Sequence, residues 1–465
     1  MRKTRKNYKN NKGGKVIASG GYGCVFNPAL KCEGAKNRNQ KNISKLMTEK
    51  HAIQEYEEIN KIKDKLDSIP KYEDYFLIYD VTLCRPSKLT ASDLSSYENK
   101  CTALPKDDIN KTNINSKLEE LMSLNLPNGG MPVDDYLYDN GSYEKLYNVH
   151  INLVKLLKNG IIPMNKRNIY HCDIKDSNVL IDDTGSDLKT RLIDWGLAVE
   201  YLPNETIQFP RNWRNRPLQF NVPFSVIIFS DFFYEKYSEY LKKGGKTDEN
   251  SLRPFVIDYI NSWMKERGAG HYKFINEIMF MLFNHNFSSI SEKNRPAYIE
   301  AEITMPFIID YIIDVLVHYT KFKSDGSLNL REYLNEVFIK IVDIWGFINV
   351  YYPYLEMMSN NYFNLKSDEL NVYKKLEFIF NNYLYAPRHE PIDMNELFDD
   401  LKDLGNLIHI IAYGKQKSSS IKSSNEMARG IKTKKYRKKR TSSTSIFKRI
   451  PLKRRFKNPF FLSLK

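Results

Sequence analysis

Two polar clusters in the middle of the chain have side chains that suit metal binding and proton transfer. The first is the run His171-Cys172-Asp173-Ile174-Lys175-Asp176-Ser177-Asn178, and the second is Asp194-Trp195-Gly196. Carboxylate and amide oxygens from such a set suit Mg²⁺, which takes few protein ligands together with phosphate oxygens. Asp and Asn are also common in turns, so each cluster alone is compatible with an ordinary turn that has no catalytic role.

Two further clusters lie near the N-terminus. The run Ala18-Ser19-Gly20-Gly21-Tyr22-Gly23-Cys24-Val25 predicts a strand, a tight turn and a second strand. Its glycines would let the backbone approach phosphate groups closely, although a plain hairpin has the same pattern. Lys45 is a single ammonium group in an apolar strand, and a buried ammonium needs a partner. We prefer Glu55 as that partner, with Glu58 second; the alternative is a surface lysine on an edge strand.

The elements that would position these residues follow from hydrophobic periodicity. Apolar residues at spacings of three and four predict helices over Thr48–Leu66 and Tyr143–Leu157, and residues 225–414 are predicted to be almost wholly helical. Residues 84–116 are polar and irregular, which indicates an inserted loop. Short apolar or β-branched runs predict strands at 15–26, 41–47, Tyr75–Val81, Leu121–Leu126, Val179–Ile181 and Thr190–Ile193.

The order and spacing of the four clusters resemble the signature of eukaryotic-type serine/threonine protein kinases over about residues 15–410. Four segments (GGYGCVFNP, ISKLM, YEDYF and the NGG after Pro127) also resemble the kinases of giant DNA viruses of the mimivirus kind. The resemblance implies an α+β, bilobal protein-kinase-like fold. A small β-rich N-lobe would span residues 16–124. A large, mainly helical C-lobe would span 125–414, with a helical insert at about 226–340.

The same resemblance implies that the protein binds ATP and Mg²⁺ and phosphorylates protein hydroxyls. A lysine two residues after the catalytic aspartate is typical of Ser/Thr kinases, so Ser/Thr acceptors are expected. The resemblance implies that residues 18–25 cover the phosphates of ATP and that Lys45, paired with Glu55, binds them. Asp173 would accept the proton of the substrate hydroxyl, and Lys175 would contact the γ-phosphate. Asn178 and Asp194 would bind Mg²⁺, and a hinge over Leu124–Asn128 would contact the adenine.

Several positions depart from the family pattern. Cys172 replaces the arginine that usually binds a phosphate on the activation segment, so we expect activity without that phosphorylation. Trp195 replaces a phenylalanine, and Ala18 replaces the first loop glycine. The segment after Gly196 has no Ala-Pro-Glu triplet, and Pro223-Phe224-Ser225 is the nearest match. Asp343 is preferred over Asp400 as the helix residue that braces the catalytic loop.

Two other functions fit the motifs. Small-molecule kinases of the aminoglycoside or choline kind share the His-x-Asp…Asn loop and often have Asp-Trp, as Asp194-Trp195 does. A catalytically inactive scaffold that keeps the fold is the other alternative.

Composition adds expectations about compartment and partners. Residues 415–465 contain 18 Lys/Arg and one acid, a net charge of +17, and residues 1–15 contain seven Lys/Arg and no acid, a net charge of +7. Because the whole chain carries +15, residues 16–414 carry −9. Residues 1–15 read as a basic N-terminal arm, and residues 415–465 as a disordered tail. For this tail, nucleic acid, an acidic surface, a nuclear address and no dedicated partner all stay open. The sequence has no run of about 18 apolar residues, so we expect no transmembrane helix. Five irregularly spaced cysteines indicate reduced thiols, and the eight histidines show no zinc spacing. We expect the host cytoplasm, with the nucleus or the virion as alternatives.

Overall fold

The structure is a computed structural model that describes residues 14–139, 142–203, 209–386 and 389–414. The predicted basic tail, 415–465, and all but the last two residues of the predicted arm, 1–15, lie outside the described residues. The described chain is a mixed α+β protein with a small antiparallel sheet in its N-terminal region and a mostly helical C-terminal part.

A five-stranded antiparallel sheet forms the N-terminal region, in the order β1-β2-β3-β5-β4. Its strands are β1 (Lys15–Ser19), β2 (Gly23–Asn27), β3 (Asn42–Thr48), β4 (Thr82–Cys84) and β5 (Leu121–Pro127). Lys45 lies in the middle of the central strand, opposite Val25 on β2 and Leu124 on β5. Helix α1 (Glu49–Leu66) follows β3 and buries the apolar face that its periodicity predicts.

The backbone of residues 84–116 is largely irregular, as expected, but the segment is packed against the sheet. This segment contains the short helix α2 (Tyr97–Lys100) and two 3₁₀ turns, at Leu104–Asp107 and Ile114–Ser116. Its apolar residues share a core with the sheet, namely Leu89, Leu94, Tyr97, Leu104, Ile109 and Ile114 against Val16, Phe26, Leu46 and Leu121. The spacing of these residues is irregular, so no periodic pattern marked them as a core.

The predicted strand at Tyr75–Val81 is wrong. Phe76, Leu77 and Ile78 are buried, but only Phe76 makes a bridge, a parallel one to Leu192. The Leu77 N–H donates to the Leu192 carbonyl at 3.1 Å, and the Leu192 N–H donates to the Tyr75 carbonyl at 2.8 Å. A short apolar run identifies a buried segment without fixing its backbone conformation.

The C-terminal part alternates short strands with helices as far as Glu200, and its larger elements beyond that residue are helical. The strands are β6 (Met131–Pro132), β7 (Ile169–Tyr170), β8 (Val179–Asp182), β9 (Lys189–Leu192) and β10 (Val199–Glu200). The helices are α3 (Val133–Asp139), α4 (Tyr143–Leu156), α5 (Ile162–Asn165), α6 (Asp231–Lys242), α7 (Glu249–Arg267), α8 (Tyr272–Phe283), α9 (Arg295–Ile299), α10 (Met305–Tyr319), α11 (Arg331–Tyr333), α12 (Ile339–Asn349), α13 (Tyr352–Ser359), α14 (Ser367–Phe380) and α15 (Met394–Tyr413).

Helix α12 lies at the centre of the helical part, since all its residues except Lys340 are buried. A helix that is apolar on every side is stable only inside a core. The predicted insert, residues 226–340, contains α6 to α11, and its buried side chains belong to the same hydrophobic cluster as α12. Among the described residues, no helix combines the length and the apolar character needed to cross a membrane.

Candidate functional site

The glycine turn between β1 and β2 lies directly against Lys45. The Gly20 N–H donates to the Gly23 carbonyl at 2.8 Å and closes the turn. A Cβ atom on Gly20 would be 3.7 Å from Lys45 Cε, and one on Gly23 would overlap the Met47 side chain and the Leu46 carbonyl. The close packing of β2 on β3 therefore requires glycine at position 23.

The other residues of the run have separate contacts. Ala18 pairs with Val25, and Ser19 pairs with Cys24. Gly21 has open space around it, and the Tyr22 ring stacks on His51.

Lys45 joins the sheet, helix α1 and the loop that carries Asp194. Its Nζ donates to both carboxylate oxygens of Glu55, at 2.8 and 2.7 Å, and lies 3.9 Å from Asp194 Oδ1. Glu58, the second choice, instead accepts a hydrogen bond from Gln54. Burial lowers the pKa of Lys45, but the Glu55 and Asp194 carboxylates outweigh it and raise that pKa above its ordinary value. The ammonium group therefore stays charged at neutral pH.

A buried carboxylate in α12 holds the polar loop after β7. Asp343 Oδ2 accepts hydrogen bonds from the His171 N–H at 2.9 Å and the Asn165 side chain at 2.7 Å. Asp343 Oδ1 accepts from the Cys172 N–H at 2.8 Å. The preference for Asp343 as the bracing residue is thus confirmed, because Asp400 pairs instead with Lys375 at 2.6 Å.

Three side chains hold the carboxylate of Asp173. Its Oδ2 accepts from Lys175 Nζ and from Asn178 Nδ2, each at 2.9 Å, and its Oδ1 accepts from Asn221 Nδ2 at 2.8 Å. Burial raises the pKa of Asp173, but Lys175 and Asn221 outweigh it and hold that pKa below its ordinary value. Asp173 is therefore an ionised, oriented carboxylate at neutral pH.

Asp194 has a strained backbone and a partly open side chain. Its φ is +64°, in the left-handed region that is costly for a residue with a Cβ atom. Such strain is often found at functional sites. The carboxylate is 43% exposed, so it can reach a ligand from solvent.

Two hydrogen bonds connect the Asp173 loop to the Asp194 loop. The Ile193 N–H donates to the Asn178 carbonyl at 3.1 Å, and His171 Nε2 lies 3.0 Å from the Ile193 carbonyl. Trp195 then packs edge-on against His171, with ring centroids 4.8 Å apart, and against Phe76 at 5.7 Å. The loops therefore hold Asp173, Asn178 and Asp194 in one neighbourhood.

Sequence reasoning missed the residues that close the site from the segment after Gly196. Asn221 contacts Asp173 from 48 positions along the chain. Cys172, at φ +60°, accepts a hydrogen bond on Sγ from Trp213 Nε1 at 2.8 Å, and its carbonyl accepts one from Arg216 at 3.0 Å. No local spacing marks these residues, because each contact joins segments that are distant in sequence.

The expectation of reduced thiols is wrong for four of the five cysteines. Cys24 is bonded to Cys101 with Cα atoms 5.3 Å apart, and Cys32 is bonded to Cys84 with Cα atoms 5.8 Å apart. Only Cys172 is a free, buried thiol. The pairs span 77 and 52 positions in sequence, and spacing alone does not give such connectivity. The first disulfide ties the strand after the glycine turn to the segment 84–116.

Neither comparison with known proteins identifies a relative: no model of a known protein family matches the chain, and no curated protein matches it significantly.

The disulfides give a prediction that thiol counting can check. Under denaturing conditions without a reductant, we expect one reactive thiol per chain, Cys172, and all five cysteines after reduction. Replacing Cys24 and Cys101 together with serine should lower the free energy of unfolding by about 2–4 kcal/mol, because the unfolded chain gains conformational freedom. Five reactive thiols without a reductant would contradict the pairing.

Proposed function

We propose that this protein is an ATP- and Mg²⁺-dependent serine/threonine protein kinase with the bilobal fold of that family. The observation that carries the proposal is the arrangement around Lys45. This ammonium group lies beneath the glycine turn, is paired with Glu55, and is 3.9 Å from Asp194. The Asp194 loop is in turn hydrogen-bonded to the loop that holds Asp173 and Asn178. Binding of a nucleoside triphosphate requires this combination: a cation, backbone N–H groups and oxygen ligands for a metal ion.

The donor chemistry fits Mg²⁺. Asn178 and Asp194 would hold the ion through oxygen atoms, as a hard cation prefers. The amide nitrogen of Asn178 is already bonded to Asp173, which leaves its amide oxygen as the atom for a metal. Bound Mg²⁺ would neutralise charge on the phosphate oxygens. The remaining ligands would come from phosphate and water.

The protein side chains around Asp173 have separate tasks in the proposed reaction. Asp173, fixed by Asn178 and Asn221, would accept the proton of a serine or threonine hydroxyl as that oxygen attacks the γ-phosphorus. The bond from the γ-phosphorus to the β,γ-bridging oxygen would break, and ADP would leave with that oxygen. Lys175, now 2.9 Å from Asp173, contacts the transferring phosphoryl group. The glycine turn over residues 18–25 covers the phosphates, and Lys45 binds the α- and β-phosphates. Catalysis then depends on positioning and charge stabilisation.

The segment after Gly196 supports a regulatory part of the proposal. Where the family pattern has an arginine for a phosphate, Cys172 contacts Trp213 and Arg216. Trp263 of α7 donates to the Arg216 carbonyl at 3.1 Å, and Trp345 of α12 donates to the Phe220 carbonyl at 2.8 Å. These buried contacts hold the segment without a phosphate group.

Partners and compartment are further proposals. The substrates would be proteins with Ser/Thr acceptors, and the basic tail 415–465 would associate with nucleic acid or an acidic surface. Two disulfides persist best outside a reducing compartment. Of the three expected compartments, which are the host cytoplasm, the nucleus and the virion, the virion agrees best with the presence of two disulfides.

A kinase assay on Asp173→Asn tests the proposal directly. Wild type should transfer labelled phosphate from ATP to a casein-like protein, and the variant should be slower by roughly 10²–10⁴, the usual contribution of a general base. Asp231→Asn is the matched control, because Asp231 is 78% exposed and pairs only with Arg214 among the contacts of its described surroundings. Transfer to amino sugars or alcohols alone would identify a small-molecule kinase, and no transfer to any acceptor would favour a scaffold.

Substitution of Asp194 should separate nucleotide binding from turnover. We expect ATP to raise the melting temperature of wild type more with Mg²⁺ than without it. In Asp194→Asn that Mg²⁺-dependent part should disappear, because a neutral amide is a weaker metal ligand than a carboxylate. Asp173→Asn should keep most of the shift. An unchanged Mg²⁺ effect in Asp194→Asn would count against its role as a ligand.

Phosphatase treatment tests the regulatory part. Protein freed of phosphate, as verified by intact mass, should keep its activity because Trp213 and Arg216 already hold Cys172. A loss of activity of about tenfold or more that incubation with ATP restores would show that the segment needs a phosphate after all.

A further inference from the structure

A cluster of two histidines and one aspartate lies at the surface of the helical part, on residues that the proposed phosphoryl transfer does not use. Asp314 and His318 are one turn apart on α10, so they lie on the same face of the helix. Val315 and Leu316 between them are buried, which places Asp314 and His318 at the margin of the core. The third member, His389, comes from the segment between Tyr385 and α15.

The three side chains converge closely. Both carboxylate oxygens of Asp314 are 3.1 Å from His389 Nδ1, and Asp314 Oδ1 is 3.5 Å from His318 Nδ1. The two imidazole rings stack with centroids 3.6 Å apart and planes 5° from parallel, so one ring must rotate about its Cβ–Cγ bond before the in-plane lone pairs of both can point at one ion. One potential ligand atom from each residue lies within 4.8 Å of the other two. Both histidines are 41% exposed and the aspartate is 17% exposed, so the cluster is open to ions from solvent.

The hydrogen bonds around the cluster suit metal binding. His318 Nδ1 lies 2.8 Å from the Asp314 carbonyl oxygen. A proton on Nδ1 donated to this carbonyl leaves the Nε2 lone pair free, the tautomer that a second hydrogen bond selects in many metal-binding histidines. The Tyr319 hydroxyl donates to the His389 carbonyl at 2.8 Å. This bond fixes the backbone of the third residue relative to α10.

The donor set indicates the kind of ion. Two imidazoles and one carboxylate are a common set for Zn²⁺ with a solvent molecule as the fourth ligand. Bonds of roughly 2.0 Å in a tetrahedron place neighbouring ligand atoms about 3.3 Å apart. The separation of 3.1 Å between Asp314 and His389 is close to that value. A single carboxylate and nitrogen donors do not suit Ca²⁺ or Mg²⁺, which prefer oxygen ligands.

We propose that Asp314, His318 and His389 form a binding site for a divalent transition metal ion, with Zn²⁺ as the best match. The ion would connect α10 to the segment that precedes α15. Its fourth position would be open to water. This site is separate from the proposed kinase activity, because the contacts of Asp314, His318 and His389 named above are with one another and with Tyr319, and not with residues of the candidate functional site.

Metal titration of the full-length protein tests the site. Chelator-treated wild type should take up Zn²⁺ in competition with a chromophoric chelator, and Co²⁺ should give the intense visible bands of a tetrahedral site with nitrogen ligands. Asp314→Asn, His318→Gln and His389→Gln should each weaken Zn²⁺ binding by more than about tenfold, since losing even a hydrogen-bond partner of a metal ligand typically costs about 10- to 100-fold. His409→Gln is the control, because His409 lies on another helix and contacts Tyr147 and Tyr413.

The outcomes are distinct. Loss of the Co²⁺ bands in the three variants, with the bands kept in His409→Gln, would support the site. The same comparison in an Asp194→Asn background excludes a contribution from the candidate Mg²⁺ ligands. Equal Zn²⁺ affinity in wild type and His389→Gln, or no tetrahedral Co²⁺ spectrum in wild type, would overturn the proposal. Circular dichroism of each variant verifies that a lost signal does not come from unfolding.

Discussion

The candidate functional site depends on one buried carboxylate. Asp343 is 1% exposed and accepts hydrogen bonds from the His171 and Cys172 N–H groups and from Asn165. Those backbone groups turn inward because Cys172 is in the left-handed region, at φ +60°. Without Asp343, two buried N–H groups would lose their partners, at a cost of about 1–3 kcal/mol each. The loop conformation that orients Asp173 thus relies on a helix residue 170 positions further along the chain.

The Lys45 ammonium has the corresponding role for the sheet. Its pairing with Glu55 fixes α1 against β3, and its approach to Asp194 connects both to the strained loop after β9. Lys45 and Glu55 are each only 13% exposed, so removing either partner alone would leave a poorly solvated charge, which commonly costs about 3–5 kcal/mol. The pair therefore links the position of α1 to the position of the Asp194 carboxylate.

Local patterns predicted what depends on local physics. The α1 stripe, the central strand with Lys45 and the short strands beside Asp194 follow from periodicity. The preference for Asp343 came from the resemblance to the kinase family. The prediction of a strand at Tyr75–Val81 was wrong because the burial of this segment comes from its packing on Leu192. Asn221, Arg216 and both disulfides were missed because each contact joins distant segments. The Asp314 cluster escaped the search for zinc spacing for the same reason: His389 is 75 positions from Asp314.

The helices of residues 231–283 explain how the segment after Gly196 keeps its position. Trp263 on α7 donates to the Arg216 carbonyl, the His271 N–H before α8 donates to the Leu218 carbonyl at 2.8 Å, and the Tyr259 hydroxyl donates to the Ile227 carbonyl. Each bond satisfies a buried backbone carbonyl that would otherwise lack a partner. Since α7 and α8 share the core of α12, these bonds anchor residues 216–227 to that core. Neutral hydrogen bonds of this kind are insensitive to salt, and the three bonds that anchor residues 216–227 involve no charged side chain.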